Sequence, residues 1–347
     1  CNMRCSYCYG EGGEYNNKGI MTENVAFQAI DYLVKNSTDE LLHIAFLGGE
    51  PLLNFPLLKK VVEYCKQISA DTGKKFSYTI TTNGTLITDN IEKYLTENKI
   101  VCQISLDGTK EKNDMNRFFR NKKGSYDVIV EKTKSMRHMN LVTARATVTP
   151  DNSDYKEIFN HLNELEFRAI PIAIAQNMVD DEQFDKILSE YINYIFYFEE
   201  LILTKQYAKA KKMTDLVNAL EKIEFGNVRN NGCGAGRTMF AVDIDGTLYP
   251  CHRFVGERKF ALGNIWTGSD NSKFLKMINV RNRDKCSKCW AQNLCLGCCP
   301  HENYTNTNNI NLASERSCRM AKTIYEKLIS VYIKMSDEDK KMMWPED

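Results

Sequence analysis

Between Thr22 and Ala175, amphipathic stretches alternate with short β-rich runs, and the first three runs stop at glycine-bearing turns. The runs 41–47, 76–82 and 100–106 lead into Gly48-Gly49, Asn83-Gly84 and Asp107-Gly108, and runs 142–148 and 169–175 follow. Between them the apolar spacing predicts helices over 22–35, 55–70, 89–97, 126–138 and 155–165. Thr22 is the N-cap of the first, with Val25, Ala29, Ile30 and Leu33 on one face. This rhythm predicts βα units on a parallel sheet, and right-handed crossovers put the helices outside. With one strand expected upstream of Cys1, about six units result. The fold class is therefore α/β, a partial (β/α)6 TIM-like barrel. Its strand-end loops gather on one face, where such folds carry their sites.

The chain has 13 cysteines in 347 residues, and they crowd the two ends, with only Cys65 and Cys102 between. Disulfides outside the cell or metal inside it would each explain the count. A chain of this length has core enough without staples, so metal ligation and the reducing cytoplasm are expected. A net charge of +1 provides no field for nucleic acid or anionic lipid. No apolar run reaches membrane-spanning length and no signal peptide is seen. The chain opens on a candidate ligand, so the natural N-terminus is expected upstream.

Cys1, Cys5 and Cys8 form CxxxCxxC. Three thiolates suit a four-iron cluster that keeps one iron open, whereas a closed structural site takes four ligands. Zinc is the bland alternative, but it usually pairs its ligands as CxxC. With Gly48-Gly49-Glu50-Pro51 downstream, the triplet resembles the radical S-adenosylmethionine (SAM) superfamily. The resemblance implies a [4Fe–4S] cluster that binds SAM and releases a 5′-deoxyadenosyl radical. It also implies that Tyr7 lies beside the adenine, that Gly48 and Gly49 admit the methionine moiety, and that Glu50 receives its amino group. Thr82 and Asn83 match a T-N-G strand end near the cofactor. Ser105 and Asp107 match an S-x-D-G strand end, with Asp107 equally readable as a turn residue. Arg117 occupies the place of an arginine that pairs with the SAM carboxylate, and Arg120 is its near rival.

At the other end, Cys233 precedes a GxxxxC ending at Cys251, then Cys286-x2-Cys289-x5-Cys295-x3-Cys299 and Cys318. This spacing resembles the SPASM extension of peptide-modifying radical SAM enzymes. The resemblance implies two auxiliary [4Fe–4S] clusters, three in all. Cys286, Cys289, Cys295 and Cys318 would hold one, and Cys233, Cys251 and Cys299 the other. Met239 stands where some relatives have an eighth cysteine, so an iron is left for a substrate thiolate; Cys298 is a spare thiol. Two zinc ribbons are the bland reading. His252 follows Cys251, where the sulfatase-maturing relatives place an aspartate base. It is read either as a catalytic group or as a structural residue. Cys65 and Cys102 read as buried apolar residues, and His43, His138 and His161 as structural.

The expected organisation is a partial barrel over 1–178, a helical connector over 179–230, and a SPASM domain with a terminal helix over 231–347. The resemblance implies a maturase that forms thioether crosslinks in a cysteine-containing ribosomal precursor peptide with a leader. Flavodoxin or ferredoxin would supply electrons, and neither nucleic acid nor membrane is a partner. Formation of carbon–carbon or ether links, or oxidation of a protein residue, is the alternative enzyme reading. An iron–sulfur electron carrier or a zinc scaffold is the non-enzymatic one.

Overall fold

The computed structural model describes residues 1–226 and 232–345. The expected boundary at 230/231 falls outside the described residues. Five strands appear where the alternation predicts them: β1 (Leu41–Phe46), β2 (Lys75–Thr82), β3 (Ile100–Ser105), β4 (Val142–Val148) and β5 (Ile172–Ile174). β2 pairs in parallel with both β1 and β3, and β4 pairs in parallel with β5.

The chain divides into two compact units that are discontinuous in sequence. The first comprises Cys1–Leu106, Asn113–Val142 and Gly234–Leu275, and the second Asp107–Lys112, Thr143–Cys233 and Lys276–Asp347.

In the first unit, helices Glu23–Asn36, Phe55–Thr72 and Asp89–Glu97 alternate with β1 to β3. The Thr22 hydroxyl accepts from the Val25 amide and caps the first of these helices. Val62 and Cys65 from Phe55–Thr72 and Ile80, Cys102 and Ile104 from β2 and β3 are fully buried. Burying one large aliphatic chain in this way stabilises by roughly 1.5–3 kcal/mol. Burial also pushes the Cys65 and Cys102 thiols up, to about 11 and about 12, as befits inert core residues. The same unit holds an antiparallel sheet of β6 (Ala241–Val242), β7 (Thr247–Tyr249), β8 (Gly263–Asn264) and β9 (Gly268–Ser269). Strands of two or three residues show no alternation, so this sheet was invisible in the sequence.

In the second unit, Asp181–Leu203 packs on the helix Glu315–Lys334, burying Phe184, Ile187 and Tyr191. Helices Tyr207–Ala210 and Thr214–Glu224 follow Asp181–Leu203 in the chain. No helix among the described residues is long and apolar enough to cross a membrane.

Three differences have local causes. The helix expected over 126–138 is two, Tyr126–Lys132 and Lys134–His138, broken at Thr133, whose hydroxyl bonds the Ile129 carbonyl at 2.8 Å. β5 is only three residues long. The carbonyls of Ala169 and Pro171 still accept from Ala144 and Ala146, but Pro171 has no N–H to return. Finally, Asp337–Met343 adds a last helix through a capping box between Ser336 and Asp339.

Candidate active site and metal centres

The Cys1–Cys8 loop is fixed by its backbone. The Arg4 amide donates to the Phe118 carbonyl at 2.8 Å, and the Ser6 amide to the Asn116 carbonyl at 2.9 Å. Ser6 Oγ adds a bond to Asn116 Oδ1 at 2.5 Å, and Met3 is buried beneath the loop. All three cysteines are half-buried and none is in a disulfide. Among the described residues, no three His, Cys, Asp or Glu side chains converge closely enough to hold a single ion. A four-iron cluster holds its thiolates wider apart than one ion does, and three thiols on one loop with no fourth fit a cluster with an open iron.

The Gly48-Gly49-Glu50 loop leaves β1 against Cys1. A Cβ on Gly49 would stand 2.9 Å from both the Cys1 Cβ and backbone nitrogen, and within 2.9 Å of the Gly13 Cα. Only glycine permits that approach. Glu50 is 5% exposed and its carboxylate is heavily committed. Oε1 accepts from Thr82 Oγ1 at 2.6 Å and from the Leu52 amide at 3.1 Å; Oε2 accepts from the Asn83 amide at 2.7 Å. Burial nevertheless holds the carboxyl above its ordinary range, against those hydrogen bonds and the Arg117 guanidinium. A carboxylate has about four acceptor positions, so one remains for a cationic group.

Asn83 stands beside Cys1. Its Nδ2 donates to Asn2 Oδ1 at 2.9 Å and lies 4.0 Å from Cys1 Sγ, while its Oδ1 accepts from the amide and hydroxyl of Thr85. Asn2 and Thr85 were not singled out in the sequence. The Thr85 bond is an Asx-turn, legible in Asn83-Gly84-Thr85; Asn2 sits at a variable place within CxxxCxxC and carries no such signal. Arg117 is buried and donates to the Tyr7 hydroxyl at 2.8 Å. Arg120 instead donates to the Cys1 carbonyl at 3.2 Å, and with Cys1, Asn2 and Phe119 it lines a cavity of about 510 Å³. Of the two arginines, then, Arg120 is the one facing open space. Ser105 is half-buried at the end of β3. Asp107 is fully buried, its carboxylate accepting from the Thr147 amide at 3.0 Å and its carbonyl from Asn152 Nδ2 at 2.7 Å. These are the bonds of a structural turn residue.

Also in the first unit, Cys251 and His252 follow β7, and His252 begins the 3-10 turn His252–Phe254. The His252 ring lies 6.2 Å from that of Tyr9, the residue after Cys8. Tyr9 packs edge-on against Tyr15, and the Tyr15 hydroxyl donates to the Gly48 carbonyl at 3.1 Å. Tyr9 and Tyr15 thus join the cysteine loop, the GGE loop and His252. Neither has a motif of its own in the sequence.

In the second unit the thiols of Cys286, Cys289, Cys295 and Cys318 are near enough to act on one another electrostatically. Burial pushes the Cys286 and Cys318 thiols up. Cys295 goes the other way. Hydrogen bonds from Cys298 and from the amides of Gly297 and Cys298 hold it below the ordinary thiol range despite burial. Cys298, expected to be spare, therefore touches Cys295, the two sulfurs being 3.5 Å apart. Cys233 and Cys299 also belong to the second unit and Cys251 to the first. Met239 is exposed.

The family described as the radical SAM superfamily matches residues 1–165, and that described as the SPASM iron–sulfur cluster-binding domain matches 233–290. The chain is 27% identical to a cysteine-type anaerobic sulfatase-maturating enzyme of Clostridium novyi (strain NT), over 95% of this chain and 92% of that one. It is 22% identical to a radical SAM cyclopropyl synthase of Paramaledivibacter caminithermalis, over 95% of this chain and 72% of that one. Native anSMEcpe with bound AdoMet and Kp18Cys peptide shares the fold at a TM-score of 0.77 and 23% identity, with 96% of each chain covered. The fold is thus an α/β half-barrel of parallel strands with helices, followed by a SPASM domain, as the alternation and the cysteine spacing imply.

Proposed function

Because the chain belongs to the radical SAM superfamily, with [4Fe–4S] clusters, SAM and a SPASM domain, we propose that it forms thioether crosslinks in a cysteine-containing ribosomal precursor peptide. The observation that carries this reading is His252, which sits beside Tyr9 at the edge of the Cys1–Cys8 loop and where the sulfatase-maturing pattern calls for an aspartate. An ordinary imidazole titrates near neutrality and can take the proton of a peptide thiol, a group that ionises at only a slightly higher pH. When bound, the cofactors supply a carbon radical that removes one hydrogen atom and an auxiliary cluster that takes up one electron.

The chain's residues do the rest. Glu50 and Arg120 orient the amino-acid end of SAM. Gly48, Gly49, Thr82, Asn83 and Ser105 bring backbone and short side chains close to it, and the Tyr7–Arg117 pair flanks it. His252 receives the thiol proton. The peptide sulfur then bonds to the carbon that lost hydrogen, and Cys286, Cys289, Cys295 and Cys318 would hold the group able to take up the surplus electron. Flavodoxin or ferredoxin supplies the electron that starts the cycle.

Oxidation of a peptide cysteine is the second reading, favoured by the likeness to a sulfatase-maturating enzyme along nearly the whole chain. Reduced, reconstituted enzyme with SAM and a cysteine-bearing peptide separates the two. A product lighter by two hydrogens with one thiol lost to alkylation supports the thioether. The same mass loss with every thiol still alkylatable rejects it, and exchange of sulfur for oxygen establishes the second reading.

A further inference from the structure

Cys298 has no place in the cysteine pattern, yet it is built into the auxiliary site. Leu296, Gly297 and Cys298 all have positive φ, at 55°, 82° and 62°. Such a run is unusual for residues with side chains and persists only where the surroundings enforce it. Here they do. Buried Arg283 donates Nη1 to the Gly297 carbonyl at 2.8 Å and Nη2 to the Ile278 carbonyl at 3.1 Å, and it lies close enough to Cys286 to act on that thiol electrostatically. Asn303, fully buried, donates Nδ2 to the same Gly297 carbonyl at 3.0 Å. The curled turn sets the Cys298 amide on the Cys295 carbonyl at 3.4 Å and brings the two sulfurs to 3.5 Å.

Cys286, Cys289, Cys295 and Cys318 already provide one thiolate for each iron of a four-iron cluster. A fifth thiol has no iron to bind there, and its nearest acceptor is the sulfur of a ligand. Lys222 adds positive charge on the same side, beside a cavity of about 340 Å³ that Cys295 and Cys298 share with Tyr325. We propose that Cys298 is a positioning residue whose S–H donates to the Cys295 ligand and raises the reduction potential of that auxiliary cluster. Hydrogen bonds to a ligand sulfur stabilise the added negative charge of the reduced cluster, so losing one makes reduction harder. The role suits a cluster that must accept an electron late in a reaction. It rests on the reading that these four thiols hold a cluster.

The test uses the full chain, reconstituted anaerobically, as wild type, Cys298→Ala and Cys298→Ser. Iron and sulfide are counted, and each cluster is titrated by electron paramagnetic resonance. The wild-type count comes first: about twelve irons per chain support the three-cluster reading, and about eight or fewer reject it before Cys298 is judged. Given three clusters, Cys298→Ala should keep its iron while one auxiliary potential moves to a more negative value. Cys298→Ser, which keeps a donor, should recover part of that shift, and the SAM-binding cluster should not move. Loss of about four irons in Cys298→Ala would make Cys298 a ligand and overturn the proposal. Full iron with unchanged potentials would make it the spare thiol and overturn it equally. If the alanine variant does not fold, Cys298→Ser decides by the same criteria: full iron with a small negative shift supports the donor role, and no shift or lost iron rejects it.

Discussion

The Thr82 hydroxyl stands 2.6 Å from Glu50 Oε1, and this buried bond ties the loop after β1 to the end of β2 beside Cys1. The bond fixes the Glu50 carboxylate and leaves one of its acceptor positions open. Thr82→Val removes the donor while keeping the shape. It is expected to cost about 1 kcal/mol of stability and to weaken SAM binding, read by thermal unfolding and calorimetry.

Burial is the largest influence on the Glu50 carboxyl and raises it above the carboxylate range. The folded chain therefore holds that proton to a higher pH than the unfolded chain. The group's contribution to stability is fully present below the unfolded pKa and is lost as pH rises through the folded one. An ammonium group docked on the carboxylate opposes this. SAM affinity is thus expected to weaken as pH falls through the raised range, with proton release on binding. Calorimetry in buffers of different ionisation heat measures that release, and Glu50→Gln should abolish it.

Gly49→Ala puts a methyl 2.9 Å from the Cys1 Cβ. Such overpacking costs about 1–3 kcal/mol. Iron loading of the first cluster and SAM cleavage should both fall, while the auxiliary clusters stay loaded. Asp107→Asn provides the contrast. Its carboxylate supports the Thr147 amide, so thermal stability should drop by about 1–3 kcal/mol with SAM affinity unchanged.

His252→Ala is expected to slow crosslink formation by roughly 10²- to 10⁴-fold while leaving SAM cleavage in place, since a base is lost and the cluster is not. The ratio of deoxyadenosine to modified peptide, followed by chromatography, should rise accordingly. An equal loss of both products would place His252 in cofactor binding instead.

Much of this was legible because it is periodic or local. Strands β1 to β5 follow from β-rich runs, the first three ending at Gly48, Gly84 and Gly108, and the core roles of Cys65 and Cys102 follow from their apolar neighbours. The contacts that assemble the site were not legible. Asn2 to Asn83, Tyr7 to Arg117 and Tyr9 to His252 span some 80 to 240 residues, and no spacing rule reports them. Arg120 facing the cavity, with Arg117 turned to Tyr7, depends on how the turn after Asn116 packs. The contact between Cys298 and Cys295 needs three left-handed residues in a row, which no sequence propensity would suggest for Leu296-Gly297-Cys298.

In thioether formation a carbon–hydrogen bond of the peptide becomes a carbon–sulfur bond. The most direct measurement uses a precursor peptide deuterated at the acceptor carbon, with reduced enzyme and SAM. Deuterium should appear in 5′-deoxyadenosine, and tandem mass spectrometry should find one cysteine sulfur joined to that carbon. Deuterium transfer without a sulfur link, or a link formed with no transfer, would contradict the account.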